Sequence, residues 1–282
     1  MDAMKGAHPV RWLCEILEVS PSGYYRWAKR QPSAREREDA ELEQEILTSH
    51  RQSRCTYGVP RIVKDLQEKG RAISKRRCSR LMTKLNLQGR KRHRRKPRTT
   101  DSSHGRPTPP NQRLKQEPPT GPNQVWVTDI TAIQTTEGWM YLAAILDLWS
   151  RKVVGWACAP TMVAGLVILA LRRALQNRGT HKGLLHHSDQ GSQYVDADYL
   201  GLLAKHGILR SMSRRGNCYE NAEIESFWST LKSDTGLDQS VFLSPSQTEL
   251  AVFDYIETFY NRTRRHSSLG YRSPVAFENL KN

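Results

Sequence analysis

The segment from Val125 to Ala159, VWVTDITAIQTTEGWMYLAAILDLWSRKVVGWACA, sets the class of fold. It contains three runs typical of β-strands: VWVTDITAI, WMYLAAILDLW and KVVGWACA. The polar turn QTTEG joins the first two, and a short link at Ser150 and Arg151 joins the second to the third. Each run is apolar on both faces or nearly so, which predicts a sheet that is covered on both sides.

Further helix and strand patterns follow this segment. A long apolar helix is predicted over 162–176, and GLLHHSD is a fourth strand candidate. A helix over 193–206 and a short fifth strand, GILRSM, complete the pattern. The order predicts an α/β fold in which a mixed five-stranded sheet, led by three antiparallel strands, is flanked by helices.

Three carboxylates stand in distinctive settings within this region. Asp129 lies inside the apolar run VWVTDIT, Asp189 lies in HHSDQGSQY, and Glu225 lies in the stretch NCYENAEIESFWSTLK over 217–232. An aspartate inside an apolar strand is costly unless it is paired or binds a metal ion. Acids from separate segments can hold Mg²⁺ for phosphoryl transfer, because Mg²⁺ prefers hard oxygen ligands. The sequence therefore predicts a magnesium site at these three acids.

The stretch around Glu225 has the periodicity of a helix. At about 100° per residue, one face carries Asn221, Glu225, Trp228, Ser229 and Lys232. The opposite face carries Ile224, Phe227 and Leu231. We expect the apolar face to lie on the core and the other face to present a carboxylate with an ammonium group two turns away.

The charge balance predicts a polyanionic partner. The 282-residue chain has 44 Lys and Arg against 28 Asp and Glu, a formal net charge of +16. Thirteen of the basic residues lie between Arg71 and Arg98, where there is no Asp or Glu. The short helices predicted over 33–49, in YGVPRIVKDLQEKG and over about 74–85, the last of them arginine-rich, are typical of a helix-turn-helix module that binds DNA. A helical bundle with solvated charges is the alternative.

Cysteines and apolar runs indicate the compartment. Five scattered cysteines without a CxxC pair favour neither a disulfide framework nor a zinc site. The first thirty residues lack the apolar core of a signal peptide. The longest uncharged apolar run, 157–171, contains Pro160 and is shorter than the roughly 20 residues that span a bilayer. We expect a protein of the reducing cytoplasm.

These patterns divide the chain into four segments. We expect a helical, helix-turn-helix-like DNA-binding region over 1–89, a basic, proline-rich linker over 90–122, a catalytic core over 123–243 and a helical, basic tail over 244–282. Cations in the linker and the tail would gain affinity for DNA by counterion release at phosphates. The candidates are Arg90, Lys91, Arg92, Arg94, Arg95, Arg262, Arg264 and Arg265. Solvated charge is the alternative for both segments.

Several motifs together resemble those of OrfB-type transposases of bacterial insertion sequences. They are VWVTDIT, YLAAILDLWSRKVVGW, HHSDQGSQY, SMSRRGNCYENAEIESFWSTLK and FYNRTRRHSSLGYRSP, and YYRW and YGVPRI nearer the N terminus also fit. The 35 residues between Asp189 and Glu225, and Lys232 seven residues after Glu225, match the signature of that family. The resemblance covers essentially the whole chain. It implies a ribonuclease H-like core of the retroviral integrase type.

The resemblance also implies roles for single residues. Asp129, Asp189 and Glu225 match the catalytic acids, which bind two Mg²⁺ ions and accept Mn²⁺ as a substitute. Lys232 matches the basic residue that contacts DNA near the end of the element. Glu223, only two residues before Glu225, lies on the opposite side of the predicted helix and is not assigned to the site.

Other residues near the acids have open roles. The expected neighbours of the site are His187, Asn217, Asn221 and Trp228. Core packing is the favoured alternative for His187 and for its neighbour His186. Trp228 either stacks a frayed base or covers the core. We expect Asp147, the competing buried acid, to be structural.

The implied reaction is Mg²⁺-dependent strand cleavage that frees a 3′-hydroxyl, followed by transfer of that hydroxyl to another phosphodiester. The implied partners are the terminal inverted repeats, target DNA, further copies of the chain on DNA, and an upstream-frame product with which the chain is fused or associated. The implied location is the bacterial nucleoid. Two rivals stay open: a ribonuclease H-like nuclease that does not join strands, and a non-catalytic DNA-binding regulator.

Overall fold

The computed structural model describes residue 4 and residues 6–90, 108–179, 182–214, 218–237 and 243–280. Five predicted site residues lie outside these ranges, namely Lys91, Arg92, Arg94, Arg95 and Asn217. Most of the predicted linker lies outside them as well. The assignments of these residues, and the bounds of the four predicted segments, stay predictions.

Within the described residues, five α-helices form the N-terminal module. They are α1 (Val10–Ile16), α2 (Pro21–Ala28), α3 (Ala34–Gln52), α4 (Val59–Glu68) and α5 (Lys75–Lys84). Ser33 and Glu36 form a capping box at the start of α3. The Ser74 side chain accepts from the Arg77 amide at the start of α5. The helices that the sequence predicts here are confirmed, and their ends shift by a few residues.

Five strands of the described chain form one mixed sheet. They are β1 (Val125–Thr135), β2 (Gly138–Asp147), β3 (Val153–Ala159), β4 (Leu185–Ser188) and β5 (Leu209–Met212). The strand order is β3-β2-β1-β4-β5, and β2 is antiparallel to both of its neighbours. β4 is parallel to β1 and to β5. The predicted mixed sheet with three leading antiparallel strands is confirmed.

Helices cover both faces of this sheet. They are α6 (Ala164–Arg178) and α7 (Ala197–Lys205) on one face and α8 (Ala222–Thr235) on the other. Gly155 on β3 allows α6 to approach closely, because a Cβ at this position would clash with the backbone carbonyl of Ala170. Each helix therefore closes one hydrophobic layer over strands that are apolar on both sides.

The predicted helix over 193–206 is interrupted at its start. Ser192–Val195 forms a 3₁₀ turn, and α7 begins only after Asp196, whose side chain caps it. The short carboxylate of Asp196 bonds to nearby amides and so favours a helix start over a helix interior. The prediction of one continuous helix is wrong for this reason.

The C-terminal segment packs on the same face of the sheet as α8. α9 (Pro245–Phe253) continues into the π-helix Asp254–Tyr260, and α10 (Pro274–Asn279) follows a 3₁₀ turn. The Asn261 side chain bonds to both the amide and the carbonyl of Val153, each at 3.0 Å. One hydrophobic core joins this segment with α8 and with α3–α5. None of the described helices has the length and apolar character needed to cross a bilayer.

Side-chain contacts fix the N-terminal module on the C-terminal segment. The Arg265 guanidinium bridges Asp65 and Glu68 on α4, at 2.9 and 2.6 Å. The Arg265 amide donates to the Tyr57 hydroxyl at 2.7 Å. These contacts, together with the shared core, hold the module on the sheet domain independently of the linker.

Candidate active site

The parallel pairing of β1 and β4 brings two predicted acids together. Val127 pairs with His187, so Asp129, within β1, lies beside Asp189, which directly follows the end of β4. Both acids line one small cavity. The sheet topology therefore joins two residues that are far apart in the sequence.

Helix α8 adds the third predicted acid. Glu225 lies in the first turn of α8 and is half-buried, as are Asp129 and Asp189. Burial, and then the negative charges of Asp189 and Glu225, raise the pKa of Asp129 to about 7. The three acids, which come from β1, from the end of β4 and from α8, therefore form one electrostatic cluster.

Hydrogen bonds fix α8 on β1 through the helix face that carries Glu225. Trp228 Nε1 donates to Asp129 Oδ2 at 2.9 Å. Lys232 Nζ donates to the Ala132 carbonyl at 2.8 Å. The face of α8 that carries Glu225 therefore contacts the sheet, in addition to the apolar face of the helix. The indole of Trp228 contacts the predicted catalytic acid Asp129 directly.

Trp228 also belongs to the hydrophobic core. Its side chain is 7% exposed, and its ring centroid lies 4.8 Å from that of Phe227. A buried indole does not offer a free face for a DNA base to stack on. The role of covering the core agrees with the structure, and the stacking role does not. Ile224, Phe227 and Leu231 are buried as predicted.

The loop after β4 shapes the site around Asp189. The Gly191 amide donates to Asp189 Oδ1 at 3.0 Å. A Cβ at this glycine would lie 3.1 Å from the same carboxylate oxygen and 2.8 Å from Gln193 Oε1. Tyr194 is buried beside the acids, and burial, followed by the charges of Asp189 and Asp129, raises its pKa well above the usual range. The loop thus encloses the carboxylate pair.

Sequence reasoning missed two residues of this loop. Gln193 Nε2 donates to the Met162 carbonyl at 3.1 Å and so joins the loop to the segment before α6. Gly191 had a signal in the sequence, because a glycine two residues after a candidate ligand is typical of a tight turn. Gln193 had none.

The cavity between Asp129 and Asp189 is small. Its volume is about 10 Å³, close to the space that one water molecule needs. Among the residues that the structure describes, no group of three His, Cys, Asp or Glu side chains is arranged to hold a metal ion as it stands. The donor chemistry nonetheless fits a hard divalent cation, because a carboxylate with two like charges nearby is stabilised by a positive ion.

The two histidines of β4 are core residues. His186 shares a hydrogen bond with the Tyr199 hydroxyl at 2.6 Å, and His187 shares one with Ser211 Oγ at 2.9 Å. Burial lowers the pKa of His186 to about 3 and, as the largest cause, that of His187 to about 4. Both are therefore neutral and hydrogen-bonded inside the core, as the core-packing alternative expects, and the assignment of His187 as a neighbour of the site stays a prediction.

The predicted neighbour Asn221 and the competing acid Asp147 both have structural partners. Asn221 is buried, and its side chain donates to the Thr128 carbonyl at 3.2 Å, next to the first acid. Asp147 accepts from the amides of Asn123, Trp149 and Ser150, at 2.7, 3.0 and 2.9 Å. The bonds from Trp149 and Ser150 close the turn between β2 and β3, and the bond from Asn123 joins this turn to the segment before β1. The structural role predicted for Asp147 is confirmed.

The candidate DNA-contact arginines in the described chain have different environments. Arg262 is exposed. Arg264 is buried and pairs with Asp234, so the expectation that it faces DNA is wrong, since a desolvated guanidinium needs a buried carboxylate. Arg265 bridges the two α4 carboxylates, which argues against DNA contact. Arg90 is exposed, and its guanidinium donates to a carbonyl of α8.

The chain is similar to known families along most of its length. Residues 36–96 match an HTH-like domain, and residues 119–218 and 206–274 match two models of the integrase core domain. A protein of Shigella sonnei, the insertion element IS600 uncharacterized 31 kDa protein, is 44% identical over 266 residues, which are 94% of this chain and 97% of that protein.

A second relative names an activity. The transposase InsF for insertion sequence IS3A of Escherichia coli strain K12 is 36% identical over 272 residues, which are 96% of this chain and 94% of that protein. The chain belongs to the family of insertion-sequence transposases. The predicted resemblance is confirmed, and the sheet domain of this transposase is an integrase core preceded by an HTH-like module.

Solved structures of retroviral integrases also align with part of this chain. The catalytic core domain of HTLV-2 integrase, in a complex with magnesium, aligns with this transposase at a TM-score of 0.44 and 16% sequence identity. The alignment covers 56% of this chain and 98% of that domain. A simian T-cell lymphotropic virus intasome aligns at a TM-score of 0.48 and 14% identity, over 62% of this chain and 60% of that chain.

Proposed function

We propose that this transposase binds the ends of its insertion sequence and carries out metal-dependent strand cleavage and strand transfer with Asp129, Asp189 and Glu225. One observation carries the proposal: carboxylates from three separate elements converge, and the pKa of Asp129 rises to about 7. Like charges gathered in a half-buried site reduce stability. A fold that retains them is typical of a functional site.

The proposed cofactor is Mg²⁺ at a two-ion site held by Asp129, Asp189 and Glu225. Mg²⁺ binds carboxylate oxygens and retains several waters, so three acids from different segments suffice. When bound, two such ions activate the attacking oxygen and stabilise the leaving oxygen of a phosphodiester. Mn²⁺ prefers similar oxygen ligands, and we expect it to substitute.

Other side chains of the transposase orient these acids. The Trp228 indole limits the rotation of Asp129, and the Gly191 amide limits that of Asp189. Residues that orient metal ligands in this way affect metal affinity and activity without touching the ion. Lys232 is bonded to β1 in the DNA-free chain, and we assign it contact with DNA near the end of the element.

In the proposed cleavage step, a water oxygen attacks a phosphodiester at the end of the element. The bond between phosphorus and the 3′-oxygen breaks, and that oxygen takes up a proton. In strand transfer the freed 3′-hydroxyl loses its proton and attacks a second phosphodiester. One phosphorus–oxygen bond forms as another breaks, so the reaction needs no ATP and no covalent enzyme intermediate.

The proposed partners follow from this reaction. The terminal inverted repeats and the target DNA are the substrates, and Arg90, Arg262 and the basic run over 91–95 are candidate phosphate contacts. Two ends must meet, so we expect further copies of the chain to assemble on DNA. We also expect an upstream-frame product to be fused or associated. The place of action is the DNA of the bacterial cytoplasm.

A strand-transfer reaction tests the proposal. Labelled duplexes with the terminal sequence of the parent element are incubated in Mg²⁺ or in EDTA with wild type, Asp129→Asn or Asp189→Asn, each alone and with the upstream-frame product. Joined products that require Mg²⁺ and disappear in both variants support the proposal. Cleavage without joining would indicate a ribonuclease H-like nuclease instead. Binding without any chemistry would indicate a DNA-binding regulator.

A further inference from the structure

Helix α2 presents an outward face that carries only neutral and basic side chains. We propose that this face of α2 binds DNA, as the reading helix of a helix-turn-helix pair that lies outside the matched HTH-like domain. The inference rests on the proposed function, because it assigns a specific helix to the recognition of the element's ends. The inference depends on the geometry of α2, on the charges around α2 and on the ion pairs that the basic side chains of α5 form.

The geometry of the α1–α2 pair suits this role. Four residues, 17–20, join the two helices, and the Ser20 side chain caps α2 by accepting from the Gly23 amide at 3.1 Å. A link of three to four residues is typical of helix-turn-helix pairs. Leu13 and Cys14 on α1 and Tyr24 on α2 are buried, so one side of each helix is fixed and the other side is free to face a partner.

The outward face of α2 lies opposite Tyr24. At about 100° per residue it consists of Ser22, Tyr25, Arg26 and Lys29, all of which are exposed. Within the described residues, neither Arg26 nor Lys29 forms an ion pair with a carboxylate. A hydroxyl, a phenol, a guanidinium and an ammonium are donors suited to phosphates and base edges.

The stretch that contains α2 carries only positive charge, and the nearest acids before it in the chain are the exposed Glu15 and Glu18. From Val19 to Arg35 the chain contains four Lys or Arg and no Asp or Glu. In this stretch Arg30 forms an ion pair with Glu36, which joins the end of α2 to the start of α3. The face is therefore complementary to a polyanion, and no acidic side chain of α2 opposes the approach of phosphates.

The basic side chains of α5 are in a different situation, although α5 belongs to the matched HTH-like domain. Most of them pair with the acidic side of α3. The pairs are Arg77 with Glu38 and Asp39, Arg80 with Asp39, and Lys84 with Glu43. α4 in turn faces the C-terminal segment through the two carboxylates that Arg265 bridges. These pairs neutralise three of the five cations of α5, and Lys75 and Arg76 at the start of that helix stay exposed. On α2, both cations of the outward face lack a carboxylate partner among the described residues.

Exposed apolar side chains beside this face suggest a second copy of the chain as the rival occupant. Trp12 and Ile16 on α1, Leu17 in the link and Trp27 on α2 are each about half exposed, at 48%, 56%, 53% and 61%. The outward face of α2 itself carries two cations and no carboxylate, and two identical copies of such a face repel each other. DNA is therefore the occupant that the charges favour.

The experiment measures DNA binding without chemistry. Full-length transposase in EDTA is titrated into a fluorescent duplex with the terminal sequence of the element and into a scrambled duplex, at several salt concentrations, and anisotropy gives Kd. The test variant is Arg26→Ala/Lys29→Ala. The matched control is Arg80→Ala/Lys84→Ala, which removes one Arg and one Lys from α5. All four side chains are exposed, and circular dichroism and thermal melting check that each variant is folded.

We expect the α2 variant to bind the terminal duplex roughly tenfold more weakly or worse. Its slope of log K against log salt should fall by about 2, because each lost phosphate contact removes about 0.9. The α5 variant should change Kd less than about threefold. An α5 variant that loses as much affinity as the α2 variant, or an α2 variant that binds like wild type, would overturn the inference and leave the proposed function intact.

Two further outcomes separate the remaining possibilities. If sedimentation shows that the α2 variant converts a DNA-free dimer to a monomer without a change in Kd, a second copy occupies the face and the inference is wrong. If the wild type shows no preference for the terminal duplex in any salt, with or without the upstream-frame product, both the inference and the proposed end recognition are wrong.

Discussion

The indole N–H of Trp228 on α8 donates to Asp129 Oδ2 on β1 at 2.9 Å. The same helix carries Glu225, three residues earlier, whose charge contributes to the raised pKa of Asp129. One helix therefore supplies a candidate metal ligand and also orients a second one. The packing of α8 on the sheet and the geometry of the proposed site depend on each other.

Trp228→Phe tests this connection. The substitution keeps an aromatic ring in the core but removes the donor to Asp129. We expect strand transfer to fall by about tenfold to a hundredfold, as for the loss of other residues that orient metal ligands. The rate of Mg²⁺-dependent strand transfer is the measurement, with the Mg²⁺ concentration that gives half of the maximal rate as a second readout.

Trp126→Phe is the matched control for this variant. Trp126 is fully buried, and among the described residues its Nε1 has no hydrogen-bond partner. We expect this variant to keep strand transfer within about threefold of wild type. If both variants lose activity equally, packing rather than the bond to Asp129 explains the effect of Trp228.

Asp129→Asn should stabilise the protein when no metal is bound. The native pKa of Asp129, about 7, lies above the ordinary value of 3.8, so the native state binds the proton more tightly than the unfolded state. The free energy of unfolding contributed by this group is therefore present at acidic pH and is lost as pH rises through about 4 to 7. An Asn side chain does not ionise, so the variant does not lose stability in this way. Its amide oxygen can still accept a hydrogen bond from Trp228.

Thermal and urea unfolding in EDTA measure this effect. At pH 8 the Asn variant should be more stable than wild type by about 1–3 kcal/mol, and the difference should shrink towards pH 4.5. Addition of Mg²⁺ should stabilise wild type at pH 8 more than the variant. A variant that is less stable than wild type at pH 8 would contradict the electrostatic cluster.

Gly191→Ala should impair the reaction more than the fold. Its Cβ would lie 3.1 Å from Asp189 Oδ1, so the carboxylate must move or turn. We expect strand transfer to fall by about tenfold or more.

Gly201→Ala in helix α7 is the control, because among the described residues no atom outside the backbone of that helix lies within 4 Å of the added Cβ. That variant should keep its activity and gain about 0.5–1 kcal/mol of stability. Equal activity in the two variants would contradict a tight loop at Asp189.

Arg264→Ala should destabilise the protein without a specific effect on DNA binding. Arg264 and Asp234 are each 6% exposed, so the variant leaves an unpaired carboxylate in the core. We expect a loss of about 3–5 kcal/mol in the free energy of unfolding.

Arg262→Ala, at an exposed position, is the control. It should change the free energy of unfolding by less than about 0.5 kcal/mol and should weaken DNA binding slightly. Urea unfolding and anisotropy separate the two effects; equal stability of both variants would contradict the buried pair.

The fold could be predicted to a large extent from the sequence, because its strands are long and apolar on both faces. The runs at 125–133 and 139–149 correspond to β1 and β2, and the order of elements gave the mixed sheet. The break before α7 was missed because Asp196 is a polar residue within an otherwise helical pattern.

The acids of the candidate site could also be predicted, because a carboxylate within an apolar strand is conspicuous. The side-chain partners could not. Helical periodicity placed Trp228 beside Glu225 but not against Asp129, since the position of α8 over β1 is decided by tertiary packing. Basic residues in the sequence do not distinguish an exposed Arg262 from a buried Arg264, because the partner of the latter, Asp234, lies 30 residues away.

The central claim, that Glu225 is the third catalytic acid, is tested most directly by comparing Glu225→Gln with Glu223→Gln in strand transfer of pre-cleaved ends in Mg²⁺. Both residues are half-buried acids in the first turn of α8, but Glu223 pairs with Arg113 at 2.6 Å on the other side of the helix. We expect Glu225→Gln to lose at least about a hundredfold in rate and Glu223→Gln to stay within about threefold of wild type. Equal rates for the two variants, or a larger loss in Glu223→Gln, would contradict the assignment.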